Sequence, residues 1–341
     1  MLKKLKIFSL FLVGTTGSAV GHENSRDIKP EATIEKIKTW FVADVIVSGP
    51  HLVDCKLSGG SKAKCFSITV KTKPSGMKTG PWCPRHISDG PEKSGIWLNA
   101  GKVHDADGAF VKNLKDFYKD ERWQMYDPKT GKIRVTDNKK SCEGAARPDV
   151  DPKYQNHCVE CQTTYMHEGA TMTYVIPLRP VDVTKLAPRV GRGGVGLSFN
   201  GAKLEGAAPV DDILRAHTLA PFDNCGGHVN LHVGYHIHAV TGCLKQIKTK
   251  ENHAPIIGIA MDGYFLHERS GDNSKEENDL DRCGGHFTTG LGYHYHVAHP
   301  GKNAILGCHK AETGCVFEGG QQACDATMWG GIRRIIFTWF E

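Results

Sequence analysis

The sequence predicts a mainly β, α+β fold, held by disulfides and built around a duplicated histidine element with a few short helices. Three observations carry that prediction. Short β-branched runs outnumber helical patterns, glycine is abundant at 39 residues, and the twelve cysteines form an even set. Glycines in turn contexts suit a β-rich chain with many connections.

The strand candidates are Ala43 to Ser48, Phe66 to Thr72 and Thr171 to Ile176, each β-branched with partial alternation. One amphipathic helix is expected after the Asp107-Gly108 turn, where Phe110, Val111, Leu114, Phe117 and Tyr118 fall on a single face. A shorter helix is expected near Pro209, with Val210, Ile213 and Leu214 on its apolar side. The acidic stretch from Gly271 to Asp281 reads as a solvated loop, and the run from Ile332 to Phe340, broken by Arg333 and Arg334, reads as a buried strand or short helix.

The N-terminus has the three parts of a secretory signal. Lys3, Lys4 and Lys6 precede an apolar run from Ile7 to Val13, and small residues follow at Gly14, Gly17, Ser18, Ala19 and Gly21. The run is far shorter than the ~20 residues that span a bilayer as a helix. Cleavage is expected after Ala19 or Gly21, delivering the chain to the periplasm or the exterior. There, an even cysteine count means disulfides. Cys55 and Cys65 flank a Ser-Gly-Gly-Ser stretch as the arms of a hairpin would. Cys158 and Cys161 form a CxxC with no second copy and no following histidine, so bonding in disulfides is expected ahead of a zinc ribbon or haem attachment.

Charge argues against a nucleic-acid partner. The formal net charge is +6, falls to +3 without the signal lysines, and forms no basic stripe with interleaved aromatics. Once the signal is cleaved, no segment suits an integral membrane protein. Gly191, Gly193 and Gly196 fit a dinucleotide-binding spacing, but a strand-and-turn pattern follows where that motif needs a helix. Asp105 and Asp107-Gly108 lack the rest of a calcium loop.

An internal repeat carries the functional reading. Asp223-Asn-Cys-Gly-Gly-His228 leads to Gly234-Tyr-His-Ile-His238, and Asp281-Arg-Cys-Gly-Gly-His286 leads to Gly292-Tyr-His-Tyr-His296. The copies keep register without a gap, which suggests a duplicated element related by a pseudo-two-fold. On a strand, alternate side chains share a face, so His236 joins His238 and His294 joins His296, while Tyr235, Tyr293 and Tyr295 turn the other way. Paired imidazoles suit a transition metal, copper or zinc ahead of iron, and not calcium or magnesium. Two ligands rarely complete a shell, so the copies are expected to meet and share one site. The ligand set is then His236, His238, His294 and His296, extended by His228 and His286. Asp223, Asp281, His253 and Asp262 are the candidates for support behind the ligands, with His253, Asp262 or His267 available for proton transfer. Cys225 and Cys283 are expected to pair with Cys243 and Cys308 rather than to bind metal.

The GYHYH stretch at 292–296 with its upstream CGGH resembles the YHYH-domain proteins, a predominantly bacterial, exported family. The resemblance extends to His253-Ala-Pro-Ile-Ile-Gly258, Asp262-Gly263 and Asn200-Gly201, strongest from Gly194 to Cys308, and more loosely to GPWCPRHI at 80–87. Two departures stand out: Ile237 replaces the name-giving tyrosine in the first copy, and Tyr-Phe-Leu-His-Glu follows Asp262-Gly263 in place of Phe-Pro-Ile-Tyr-Gly. The resemblance implies a motif and no reaction. The expected organisation is a signal at 1–21, a β-rich region at 22–190, the YHYH domain at 191–315 with repeats at 223–243 and 281–308, and an extension at 316–341. Two functional classes follow: an exported metal-dependent enzyme, or a non-catalytic, disulfide-stabilised structural or surface module whose histidines form a hydrogen-bond network.

Overall fold

A computed structural model describes residues 30–146, 149–187, 190–191, 193–231, 233–249, 253–270, 279–320 and 322–328. The signal segment, most of the acidic stretch at 271–281 and the run at 332–340 lie outside the described residues. Two larger sheets and one small hairpin organise the rest.

The first sheet is antiparallel and has the order β1-β2-β5-β14, from β1 (Ile46–Lys56), β2 (Lys62–Lys71), β5 (Thr171–Pro177) and β14 (Cys315–Glu318). All three expected strand regions lie in it, although Ala43–Val45 forms a 3-10 turn ahead of β1. The segment read as a C-terminal extension is partly structural, because β14 pairs with β5 from Cys315↔Val175 to Glu318↔Met172. Between β2 and β5 lie a hairpin of β3 (Ile96–Asn99) and β4 (Lys102–Asp105) and three short helices.

Those helices are α2 (Gly108–Lys112), α3 (Leu114–Tyr118) and α4 (Lys139–Ala145). The single amphipathic helix expected after Asp107 is therefore two helices, split at Asn113, whose φ −97° and ψ 7° leave the helical well. Asp107 caps the first by accepting the Phe110 amide at 2.8 Å. Val111 and Leu114 are buried, while the break turns Phe117 outward to 38 % exposure.

The second sheet holds the repeats. It comprises β6 (Gly196–Ser198), β7 (Lys203–Leu204), β8 (Gly227–Asn230), β9 (Gly234–Ile237), β10 (Ile256–Ala260), β11 (Phe265–His267), β12 (Gly285–Thr288) and β13 (Gly292–His296). Its order, β12-β13-β11-β10-β6-β7-β9-β8, reads the same from both ends. The central β6/β10 pair is antiparallel, each flank continues with an antiparallel neighbour, then a parallel junction, then an antiparallel hairpin. The pseudo-two-fold is thus present, with its axis between β6 and β10. The duplicated unit is also longer than the CGGH element, because it includes the preceding hairpins that turn at Asn200-Gly201 and Asp262-Gly263.

The two sheets share a core. Helix α1 (Pro30–Trp40) and β2 contribute Ile34, Ile37, Phe66 and Ile68, which pack with Leu197 and Ile259 of the second sheet and with Phe199 in the turn after β6. Trp40 meets Phe265 edge-on at 5.1 Å. Helix α5 (Val210–Arg215) forms where expected and lays Val210, Ile213 and Leu214 against Leu219, Phe222 and Ala239.

All twelve cysteines pair: Cys55–Cys65, Cys83–Cys158, Cys142–Cys161, Cys225–Cys243, Cys283–Cys308 and Cys315–Cys324. The CxxC residues go to different partners, and both repeats form the disulfides expected of an oxidising compartment, Cys225–Cys243 and Cys283–Cys308.

Candidate metal centres

Each repeat folds its CGGH…GYHxH stretch into a hairpin that aligns the histidines. His228 sits directly across from His236, and His286 across from His294. His238 and His296 follow on the same faces as His236 and His294. The two glycines of each CGGH have separate causes. Gly226 and Gly284 adopt φ of +77° and +90°, the left-handed region. A Cβ on Gly227 or Gly285 would lie 2.4 or 2.3 Å from the Tyr235 or Tyr293 hydroxyl.

Those hydroxyls complete a brace on the opposite face. Asp223 accepts the Tyr235 hydroxyl at 3.0 Å and the amides of Gly80, Cys225 and Gly227. Asp281 accepts the Tyr293 hydroxyl at 3.0 Å and the amides of Cys283 and Gly285. Asp262 accepts the Tyr295 hydroxyl at 2.6 Å and the amides of Lys310 and Ala311. These carboxylates therefore hold turns and tyrosines, which corrects their expected place behind the histidines. An alternating strand cannot send Tyr235 and His236 to the same partner.

The histidines form two clusters rather than one. His228, His236 and His238 make the first; His253, His286, His294 and His296 make the second, with the ring nitrogens of each cluster within 4.8 Å of one another. The expectation of a shared site fails on topology. Strands β9 and β13 are separated by β11, β10, β6 and β7, a span of roughly 24 Å at ~4.8 Å per strand. Leu197, Ile259 and Phe265 lie on the histidine face of the strands between, covered by α1 and the first sheet.

The second cluster is a closed ring set. Nε2 of His286 lies 3.0 Å from Nε2 of His294 and 3.2 Å from Nε2 of His296, and Nε2 of His294 lies 3.0 Å from Nε2 of His253. Ligands at ~2.0–2.1 Å from a tetrahedral ion stand roughly 3.3 to 3.4 Å apart. The protons are committed elsewhere: Nδ1 of His294 donates to the Gly292 carbonyl at 3.0 Å, Nδ1 of His253 to Ala254 at 3.2 Å and Nδ1 of His296 to Glu268 at 2.9 Å. A carbonyl only accepts, so Nδ1 is the donor in each of these contacts and Nε2 is the nitrogen turned into the cluster. Nε2 of His294 and Nε2 of His253 thus turn toward each other inside the cluster, at a separation close to that of two ligands on one ion. Burial also opposes protonation, pushing the His294 imidazole down to about 4. His267, buried and pushed down to about 3 by burial, lies tilted beside the cluster with its ring 4.5 Å from His294, and donates from Nδ1 to the Ala254 carbonyl at 2.6 Å.

The first cluster follows the same plan with fewer rings. Nδ1 of His236 donates to Gly234 at 3.0 Å and Nδ1 of His238 to Gly206 at 2.5 Å, the counterparts of the His294 and His296 bonds. Ring centroids stand 4.6, 5.0 and 4.9 Å apart for the three pairs. Burial pushes His236 down to about 4 and His238 to about 3, and holds His228 well below its usual value. Where the second repeat carries His267, the first carries Glu205, by the parallel registers Leu204↔Ile237 and Leu266↔Tyr295. Glu205 pairs with the buried Lys203 ammonium at 2.5 Å.

The first cluster also opens on a cavity of about 320 Å³, lined by the three histidines together with Trp82, Val159, Ile213 and Val229. Sequence reasoning missed this pocket, because Trp82 and Val159 come from the region upstream of the repeats. It also assigned His253 to a supporting role, whereas the ring stands in the second cluster itself. The signal was there: His253 opens the His-x-Pro-Ile-Ile-Gly block that feeds β10.

No curated protein and no solved structure matches the chain. No helix among the described residues is long and apolar enough to cross a membrane. Residues 173–279 match the family model described as YHYH protein, from β5 through the first repeat to the approach of the second, and the chain is a YHYH domain-containing protein.

Proposed function

We propose that this is an exported protein that binds two transition-metal ions, one in each repeat. The single observation that carries the reading is the convergence of the histidine nitrogens into two clusters, within 4.8 Å of one another in each, with Nδ1 of the paired strand histidines on backbone carbonyls. A donor set made entirely of imidazole suits zinc or copper, then iron, and excludes calcium and magnesium as natural occupants.

The ring counts assign different roles. Four converging imidazoles fill a tetrahedral shell, as in a structural site; three leave a position for water or substrate, as in catalytic sites. An ion at His228, His236 and His238 would act as a Lewis acid on whatever takes that position. Six disulfides and the signal-like N-terminus support an oxidising compartment. Elemental analysis tests the reading directly, on the untagged chain purified from its native compartment. Two equivalents of a transition metal are expected; a fully folded chain with none would support the histidine hydrogen-bond network instead.

A further inference from the structure

We infer that the three-histidine centre takes a small apolar carboxylate, its head on the open coordination position and its body in the cavity beside it. The inference rests on the proposal that this centre holds an ion. Three observations on the cavity carry it further.

The first is size. About 320 Å³ is at the small end of ligand sites and corresponds to about ten waters. The second is the wall. Trp82, Val159, Ile213 and Val229 present apolar surface next to the three imidazoles, so an apolar body gains by leaving water. The third is charge. Neutral imidazoles leave the ion's positive charge undiminished at the floor. The carboxylates around the site each have a basic partner: Glu160 pairs with Arg85 at 2.7 Å, Glu205 with Lys203 at 2.5 Å, and the solvent-exposed Asp212 with Arg215 at 2.6 Å. Glu160 also accepts the Cys83 amide at 3.0 Å. An uncompensated cation at the end of an apolar pocket selects a single anionic head over a neutral or cationic one. The second cluster offers no counterpart: a fourth imidazole, His253, completes its set, and the cavities at its edge touch it through His286 or His296 alone.

The test uses the full chain loaded with cobalt(II), whose visible bands report coordination. Benzoate is titrated against the wild type, with acetate as the same head without the body. Saturable band shifts are expected, with benzoate at least tenfold tighter than acetate. His236→Ala should keep one cobalt and lose the response. Ile213→Trp, or the milder Ala220→Leu should the first fold poorly, should keep both ions and weaken benzoate at least tenfold while leaving acetate within about twofold. Two bound cobalt ions with no response to benzoate, or equal affinity for benzoate and acetate, would overturn this inference alone. Cobalt content untouched by His236→Ala would overturn the metal reading at that centre, and the inference with it.

Discussion

The two repeats share a backbone plan and differ in what surrounds it. Both place a histidine pair on one strand face, lock Nδ1 on backbone carbonyls, and brace the turn with an aspartate and a tyrosine on the other face. Around the second, His253 and His267 crowd in from the β10–β11 side and close the set. Around the first, the corresponding positions are Gly191 and Glu205, counting from the aligned Asn200-Gly201 and Asp262-Gly263 turns. Trp82, Val159 and Ile213 enclose a cavity there instead. Duplication thus supplied the histidine scaffold twice, and the residues outside the duplicated motif determine whether the set closes or stays open.

That contrast predicts unequal losses. Stripping metal with a chelator should lower the melting temperature by roughly 10 °C, the scale for an ion held at about a thousand times its dissociation constant. His294→Ala should reproduce most of that drop and His236→Ala little of it, read by calorimetry, because only the closed site ties β10, β12 and β13 together. Equal drops would erase the distinction between the sites.

The disulfides come next. Replacing Cys283 and Cys308 by alanine should cost about 3 kcal/mol, as should replacing Cys225 and Cys243, because the loops they close span 25 and 18 residues. With metal bound, the Cys283 and Cys308 variant should be the better protected, since the four-histidine ion holds the same hairpin. Denaturant titration with and without metal separates the two terms.

Acid should act on both centres of the metal-free protein. Burial depresses His236 and His294 to about 4 and His238 and His267 to about 3. A depressed pKa means the unfolded chain takes up protons first. The stability from these neutral rings is therefore intact above about pH 6.5 and drains away as pH falls through 4. Melting temperatures across that window check the sign; a chain that gains stability on acidification would contradict it.

The smallest expected effect concerns the braces. Asp223 is fully buried and takes four donors, the Gly80 amide among them, while Asp281 is partly exposed and takes three. Asp223→Asn should cost about 2 to 3 kcal/mol and Asp281→Asn about 1, measured by denaturant unfolding.

Much of this arrangement was legible in the residues. Strand alternation alone puts His236 with His238 and Tyr235 opposite them, the turn between them pairs Cys55 with Cys65, and an oxidising compartment favours a disulfide for each CGGH cysteine. The part that escaped is non-local. Parallel junctions such as Leu204↔Ile237 leave no periodic trace, so the width of sheet between the repeats was invisible and a single shared site looked natural. His253 arrives on a connection rather than a patterned strand. The break at Asn113, too, is a local backbone event inside a sequence that scores as one helical face.

The most direct test of two centres is the metal content of three variants: His236→Ala, His294→Ala and the double. Two separate ions predict that each single change removes one of two equivalents and the double removes both. If either single change empties the protein, the repeats share one ion after all; if the double variant keeps both, the histidines are not its ligands.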